Sequence, residues 1–138
     1  MRMRILLAAA ALMTWTAPAM AIEECSGGHR EARKLTCIVD GDTGWQNGKK
    51  WRMLDIDAPE TFGAQCDREK AIGHKAKNRL IALMSKGYRL AGNGEKDRTS
   101  DKRVLVRVIL PDGRDAGKVL IREGLAQPWP NKGNMWCE

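Results

Sequence analysis

Residues 37–60 read CIVDGDTGWQNGKKWRMLDIDAPE, and this stretch decides the fold. Asp40 and Asp42 stand at one end, Asp55, Asp57 and Glu60 at the other. Between them two short extended runs flank Asn47-Gly48, a dipeptide whose tolerance of positive φ makes it a strong hairpin signal. A hairpin here brings the two acidic ends together, with Arg52 on the second arm. Converging carboxylates and a guanidinium are costly to build without a cation or a reaction to serve.

The second arm is expected to run from Lys49 to Ile56. Pro59 disfavours helical backbone at Ala58 and supplies no N–H, so the strand should stop near Asp57. Strict alternation places Arg52 and Asp57 on opposite faces. For both to serve one site, the backbone must bend or bulge between them. Trp45 and Trp51 flank the turn and suggest a cross-strand aromatic pair.

Outward from the hairpin, Lys34–Asp40 (KLTCIVD) has the β-branched content of a strand, preceded by an irregular arm, 22–33. Downstream, Asp67 suits the N-cap of a helix over Arg68–Lys86, with Ala76, Leu80, Leu83 and Met84 on an apolar stripe. Lys70, Lys75, Lys77 and Arg79 fall on the other, solvated face. Gly87 fits the position just past the helix end. Tyr88–Ala91 reads as a short strand, 92–102 as a polar loop and Arg103–Leu110 (RVLVRVIL) as a strand closed by Pro111-Asp112-Gly113. Ala116–Glu123 reads as a shorter helix ending at Gly124. The tail from Gln127, with Pro128, Trp129, Pro130 and Trp136, is expected to run irregularly over the surface. These elements predict a mainly β, α+β fold with an antiparallel sheet, closable into a small barrel.

The first 21 of the 138 residues read as an export signal. Arg2 and Arg4 precede an apolar run, Ile5–Trp15, and an A-x-A cleavage site at Ala19-Met20-Ala21. That run is shorter than the roughly 20 residues a bilayer span takes. Residues 22–138 are therefore expected as one exported, secreted or periplasmic domain, free of the membrane and monomeric. Loss of Arg2 and Arg4 lowers the formal charge from +7 to +5. A basic surface concentrates polyanions such as nucleic acid, although charge alone is as readily a solubility feature. Cys25, Cys37, Cys66 and Cys137 allow two disulfides in three connectivities; Cys25–Cys37 with Cys66–Cys137 is the preferred pairing. With no CxxC, and only His29 and His74 as imidazoles, a zinc site is not expected.

Several chemistries can be set aside. None of the three serines, Ser26, Ser85 and Ser100, sits in a G-x-S-x-G elbow, and no phosphate-loop motif occurs. Asp40 and Asp42 hint at a calcium-binding EF-hand, but Gly44 and Trp45 stand where a third ligand and a glycine are required. What remains is a hard oxygen set, Asp40, Asp42, Asp57 and Glu60, beside guanidinium groups. Such a set suits calcium or magnesium. Cation and arginines together meet the needs of attack at a phosphodiester, with a carboxylate to activate water. Any one of these residues alone reads equally well as a strand-end acid or a surface ion pair.

Taken together, Val39-Asp40-Gly41-Asp42-Thr43, then Trp51-Arg52-Met53-Leu54 running into Ile56-Asp57-Ala58-Pro59-Glu60, then Gly124-Leu125-Ala126, resemble the staphylococcal nuclease (thermonuclease) family over roughly residues 35–126. The resemblance implies an OB-fold, a five-stranded β-barrel with packed helices, and calcium-dependent cleavage of DNA and RNA. It implies Asp42, Asp57 and the carbonyl of Ala58 as calcium ligands, Asp40 as an outer acid, Arg52 on the scissile phosphate and Glu60 as general base. The family's second arginine follows a D-[KR]-Y-G-R pattern; here the stretch from Asp97 to Arg103 lacks the tyrosine and glycine and is two residues longer. Arg103 is the better candidate and Arg98 the lesser. The family's nucleotide-contacting tyrosines have no clear counterparts, and Trp129 lies near where one would stand. The reading is an exported calcium-dependent nuclease; the alternative is a non-catalytic OB-fold module that binds nucleic acid or another polyanion.

Overall fold

A computed structural model describes residues 21–138. The expected export segment, 1–21, lies outside the described residues except for its last position. The strands are β1 (Glu23–Glu24), β2 (Cys37–Ile38), β3 (Thr43–Gln46), β4 (Lys49–Met53), β5 (Ile56–Asp57), β6 (Arg89–Ala91), β7 (Lys96–Asp97), β8 (Ser100–Ile109) and β9 (Gln127–Pro128). The helices are α1 (Asp67–Met84) and α2 (Ala116–Arg122).

Asn47 and Gly48 take φ of 48° and 80°, as a two-residue type I′ turn requires, and join β3 to β4. The register pairs Thr43 with Arg52, Gly44 with Trp51, and Trp45 with Lys50. Partners directly opposite share a face, so Trp45 and Trp51 point to opposite sides and the expected aromatic pair does not form. Trp51 is buried against Gly44, where a Cβ would lie 2.3 Å from the indole. Trp45 instead carries the Lys50 ammonium 5.9 Å from its ring centroid.

The second arm is shorter than expected. β4 stops at Met53, and a turn through Leu54 and Asp55, the latter at φ 62°, precedes β5. This is the bend that Arg52 and Asp57 need to share a site. Arg107 holds it from β8, its Nη2 2.5 Å from Asp55 Oδ2.

Five of the pairings follow the path β1-β2-β3-β4-β8-β6; β7 pairs with β8 beside that path, and β5 pairs separately with β9. The sheet is mixed, not antiparallel: β1 runs parallel to β2 and β4 parallel to β8. The route from β4 to β8 includes α1, a crossover of the kind parallel neighbours need. Among the described residues no pairing joins the two ends of the path, so the expected five-stranded closed barrel is not seen. The architecture is α+β with two helices. β7 lies inside the expected polar loop and folds back on the start of β8.

Cys66, rather than Asp67, caps α1, its sulfur accepting from Glu69 N at 3.4 Å. Ala76, Leu80, Leu83 and Met84 face the core formed with Trp51, Met53, Val108 and Leu120. Lys77 departs from the expected solvated face: it is buried, with Nζ 2.5 Å from Glu24 Oε1 of β1. A buried ammonium needs such a partner. Gly73 lets α1 approach the acidic loop closely; a Cβ there would lie 2.8 Å from Pro59 O and 2.7 Å from Glu60 O.

Both disulfides have the preferred pairing, Cys25–Cys37 and Cys66–Cys137. The first ties the N-terminal arm to β2, and the second ties the tail to the start of α1. The tail does not simply run over the surface. It contributes β9, and Gln127 and Trp136 are buried. Among the described residues no helix is long and apolar enough to cross a membrane.

Candidate active site

Asp42 enters the site from the tight connection between β2 and β3, fixed by its own backbone and by its neighbours. Its N–H donates to Asp40 Oδ1 at 3.1 Å, and its carbonyl accepts Met53 N–H at 2.8 Å. The Asp42 carboxylate is buried and bonded through both oxygens. Oδ1 accepts the Thr43 hydroxyl at 2.8 Å, while Oδ2 accepts Ala58 N–H at 2.9 Å and meets Arg52 Nη1 at 2.7 Å. The two motifs at the ends of the opening stretch are thus in direct contact.

Arg52, directly opposite Thr43 on β4, is the hub. Nη2 donates to Ile56 O at 3.3 Å across the Asp55 bend, and Nε lies 4.0 Å from Asp97 Oδ2. Burial works against its charge, but Asp42, and then Asp57 and Asp97, outweigh that and hold the guanidinium protonated. Arg103, on β8, reaches the same Asp97 carboxylate and also donates to Thr99 Oγ1 at 2.9 Å. The longer loop therefore leaves Arg103 beside Arg52, with Asp97 between them. Arg103 Nε is buried without a hydrogen-bond acceptor. Arg98 is exposed and lines a groove of about 390 Å³ together with Arg52, Asp97 and Trp129. A larger depression, about 710 Å³, lies along the N-terminal arm from Gly27 to Ala32 and shares no lining residue with the acids.

The acids fall into two electrostatic classes. Asp40 is buried beside Asp42, and burial followed by the charges of Asp42 and Glu60 pushes its carboxyl up to about 8. Glu60 is exposed on its outer side, yet the protein behind it, then Asp42, Asp57 and Glu69, raise its affinity for a proton. Asp97 goes the other way. Burial favours its neutral form, but Thr99, Arg103 and Arg52 overcome this and hold it below the usual carboxylate range.

Asp57, on β5, projects toward the tail. Its Oδ2 accepts Gln127 Nε2 and Asn131 Nδ2, both at 2.9 Å. Glu60 follows Pro59 on the loop before α1, its N–H donating to Glu69 Oε1 at 3.2 Å. Asp57, Ala58 and Glu60 line a pocket of about 240 Å³ with Gln65, Glu69, Asn134 and Trp136. Sequence reasoning missed Glu69, Gln127, Asn131 and Asn134, since amides and one acid on a helix carry no periodicity. The available signal was Cys66–Cys137, which binds the tail three residues before Glu69.

Among the described residues no three Asp, Glu, His or Cys side chains gather closely enough to hold a metal ion. Arg52 and Ala58 occupy Asp42 Oδ2, and tail amides occupy Asp57 Oδ2. The chemistry of the donors nevertheless fits a hard divalent cation. All are oxygen, and Asp40 and Glu60 are raised first by burial and then by neighbouring carboxylates, whose charge a cation would offset.

The family model described as staphylococcal nuclease homologue matches residues 50–134. That match starts on β4 and runs past Ala126 through Asn134, so it takes in the tail. No curated protein matches the chain.

Proposed function

The chain belongs to the staphylococcal nuclease family, and from that premise we propose an exported, calcium-dependent nuclease that hydrolyses phosphodiester bonds of DNA and RNA. Asp42, Asp57 and the carbonyl of Ala58 would hold the calcium, with Asp40 behind them. The cation would supply Lewis-acid stabilisation of charge on the phosphate oxygens. Arg52 and Arg103 bind two non-bridging oxygens of the scissile phosphate. Glu60 takes a proton from water as its oxygen bonds to phosphorus, and the opposite P–O bond breaks, its oxygen leaving to be protonated.

The observation carrying this reading is that Arg52 and Arg103, from separate strands, meet at one carboxylate beside Asp42. Asp97 holds the two guanidiniums side by side, where a phosphate would meet both. The family premise extends to an OB-fold barrel for residues 22–138, acting as a monomer outside the membrane. Two disulfides support export into an oxidising compartment. The decisive experiment is degradation of single- and double-stranded DNA and of RNA across a calcium titration and in chelator. Cutting that requires calcium is expected; equal cutting in chelator, or none at any calcium concentration, overturns it.

A second reading has its own observation. Trp129 is 52% exposed on the groove that Arg52 and Arg98 line, as a base-stacking wall would be. A non-catalytic binder predicts salt-sensitive retention of single strands without turnover.

A further inference from the structure

The tail is built into the acidic site from two sides. Strand β9 pairs with β5 so that Gln127 stands opposite Asp57. From there Gln127 Nε2 donates to Asp57 Oδ2 and to Gly133 O at 3.1 Å. Asn131 comes back over the same carboxylate: its Nδ2 donates to Asp57 Oδ2, and its Oδ1 accepts Gly133 N–H at 3.1 Å. Two amides from a turn braced by its own hydrogen bonds therefore converge on one oxygen of Asp57. Among the described residues the other oxygen, Oδ1, takes no hydrogen bond.

The second connection acts on Glu60. Glu69 is a buried carboxylate whose partners are all neutral donors. Oε1 accepts Glu60 N–H at 3.2 Å; Oε2 accepts Gln65 N–H at 2.7 Å and Asn134 Nδ2 at 2.8 Å. Asn134 is fixed in turn by Trp136 N–H, which donates to its Oδ1 at 3.0 Å. Cys137 closes the arrangement onto Cys66, the cap of the helix that carries Glu69. A carboxylate buried beside a site already rich in negative charge would be costly as packing alone. Here it fixes the loop that presents Glu60.

We propose that residues 127–137 form a positioning strap for the catalytic acids. Gln127 and Asn131 orient Asp57 so that Oδ1 is free for the cation, and Asn134, through Glu69, sets the backbone that carries Glu60. This rests on the nuclease reading above. Outer partners that orient a metal ligand typically change affinity by about 10- to 100-fold when lost. The strap therefore predicts separable effects: its first half acts on calcium affinity and its second on turnover.

The test uses the full oxidised chain. Calcium binding is measured by calorimetry in wild type, Asn131→Ala and Asn131→Gln, with melting in chelator alongside. Asn131→Ala is expected to weaken calcium about 10- to 100-fold with melting in chelator unchanged, and Asn131→Gln, which keeps the donor, to recover part of the loss. Should Asn131→Ala melt early in chelator, Gln127→Ala removes the other donor to the same oxygen and carries the comparison. Asn134→Ala is expected to lower kcat about tenfold while leaving calcium affinity and KM in place. Wild-type calcium affinity in the Asp57-side variants together with wild-type kcat in Asn134→Ala overturns the strap and leaves the nuclease reading standing. A wild type that binds no calcium overturns the nuclease reading, and the strap with it.

Discussion

Arg52 stands between two carboxylates in opposite surroundings. On one side burial, and then the charge of Asp42, makes Asp40 and Glu60 hold protons more tightly than usual. On the other side Asp97 has Arg52, Arg103 and two donors from Thr99, and releases its proton more readily than usual. One side has negative charge in excess and can accept a cation; the other is saturated and serves to hold arginines. Acid residues near an arginine are therefore not one category. The balance of neighbours decides which acid does chemistry and which organises it.

The sharpest way to break that distinction is at Glu60. Glu60→Ala is expected to cut turnover on DNA by about 10²–10⁴-fold without lowering the melting temperature at neutral pH, because the side chain is exposed and its charge is disfavoured in the fold. Undiminished cutting would take the excess-charge side out of the chemistry. Next in size is the saturated side. Arg103→Ala should cost about 10²–10³-fold as a lost charge-stabilising donor. Asp97→Asn should cost less, up to about 10²-fold, since it misplaces both guanidiniums without removing either. If Asp97→Asn cuts faster than wild type, Asp97 is an obstacle rather than an organiser.

A third effect separates the two sides by pH. The folded Asp40 carboxyl, pushed up to about 8 from the usual 3.8, binds a proton that the unfolded chain has already lost. Its stabilising contribution is complete below about pH 4 and disappears as pH rises through about 8. Glu60 is shifted in the same direction. Asp97 contributes above the ordinary carboxylate range and loses that contribution as pH falls through its lowered value. In chelator the melting temperature should therefore decline from pH 5 to pH 8, and calcium should flatten the decline. A profile independent of pH and calcium would show the acids to be compensated already. The smallest effect is expected away from both sides. Lys77→Met replaces a buried ion-pair partner of the exposed Glu24 and should shift stability by no more than about 1 kcal/mol, with activity retained.

How much of this was legible depended on the range of the signal. The hairpin was legible because Asn47-Gly48 sets the turn and the turn sets the register. The same register shows that Trp45 faces Lys50 and Trp51 faces Gly44, which is why pairing the indoles by proximity in sequence failed. The bend between Arg52 and Asp57 could be anticipated from alternation, although not its placement at Asp55. Polar β7 could not be, because Lys96-Asp97 has no apolar alternation. The parallel partnership of β4 and β8 depends on residues 51 and 104 meeting, about which local pattern says nothing. Likewise the acids on the site were visible as motifs, whereas the amides of Gln127, Asn131 and Asn134 became meaningful only once the tail was folded back.

Gly73 has a consequence for anyone who would make this protein hardier. A glycine inside a long helix is the usual first candidate for replacement, because alanine there gains up to about 1 kcal/mol. In α1 the new methyl would press on the carbonyls of Pro59 and Glu60. Such overpacking costs about 1–3 kcal/mol, and here the backbone that must yield is the one carrying the proposed base. The routine stabilising substitution would thus spoil the alignment of the candidate site while failing to strengthen the protein, and position 73 is best left alone in any thermostabilisation campaign.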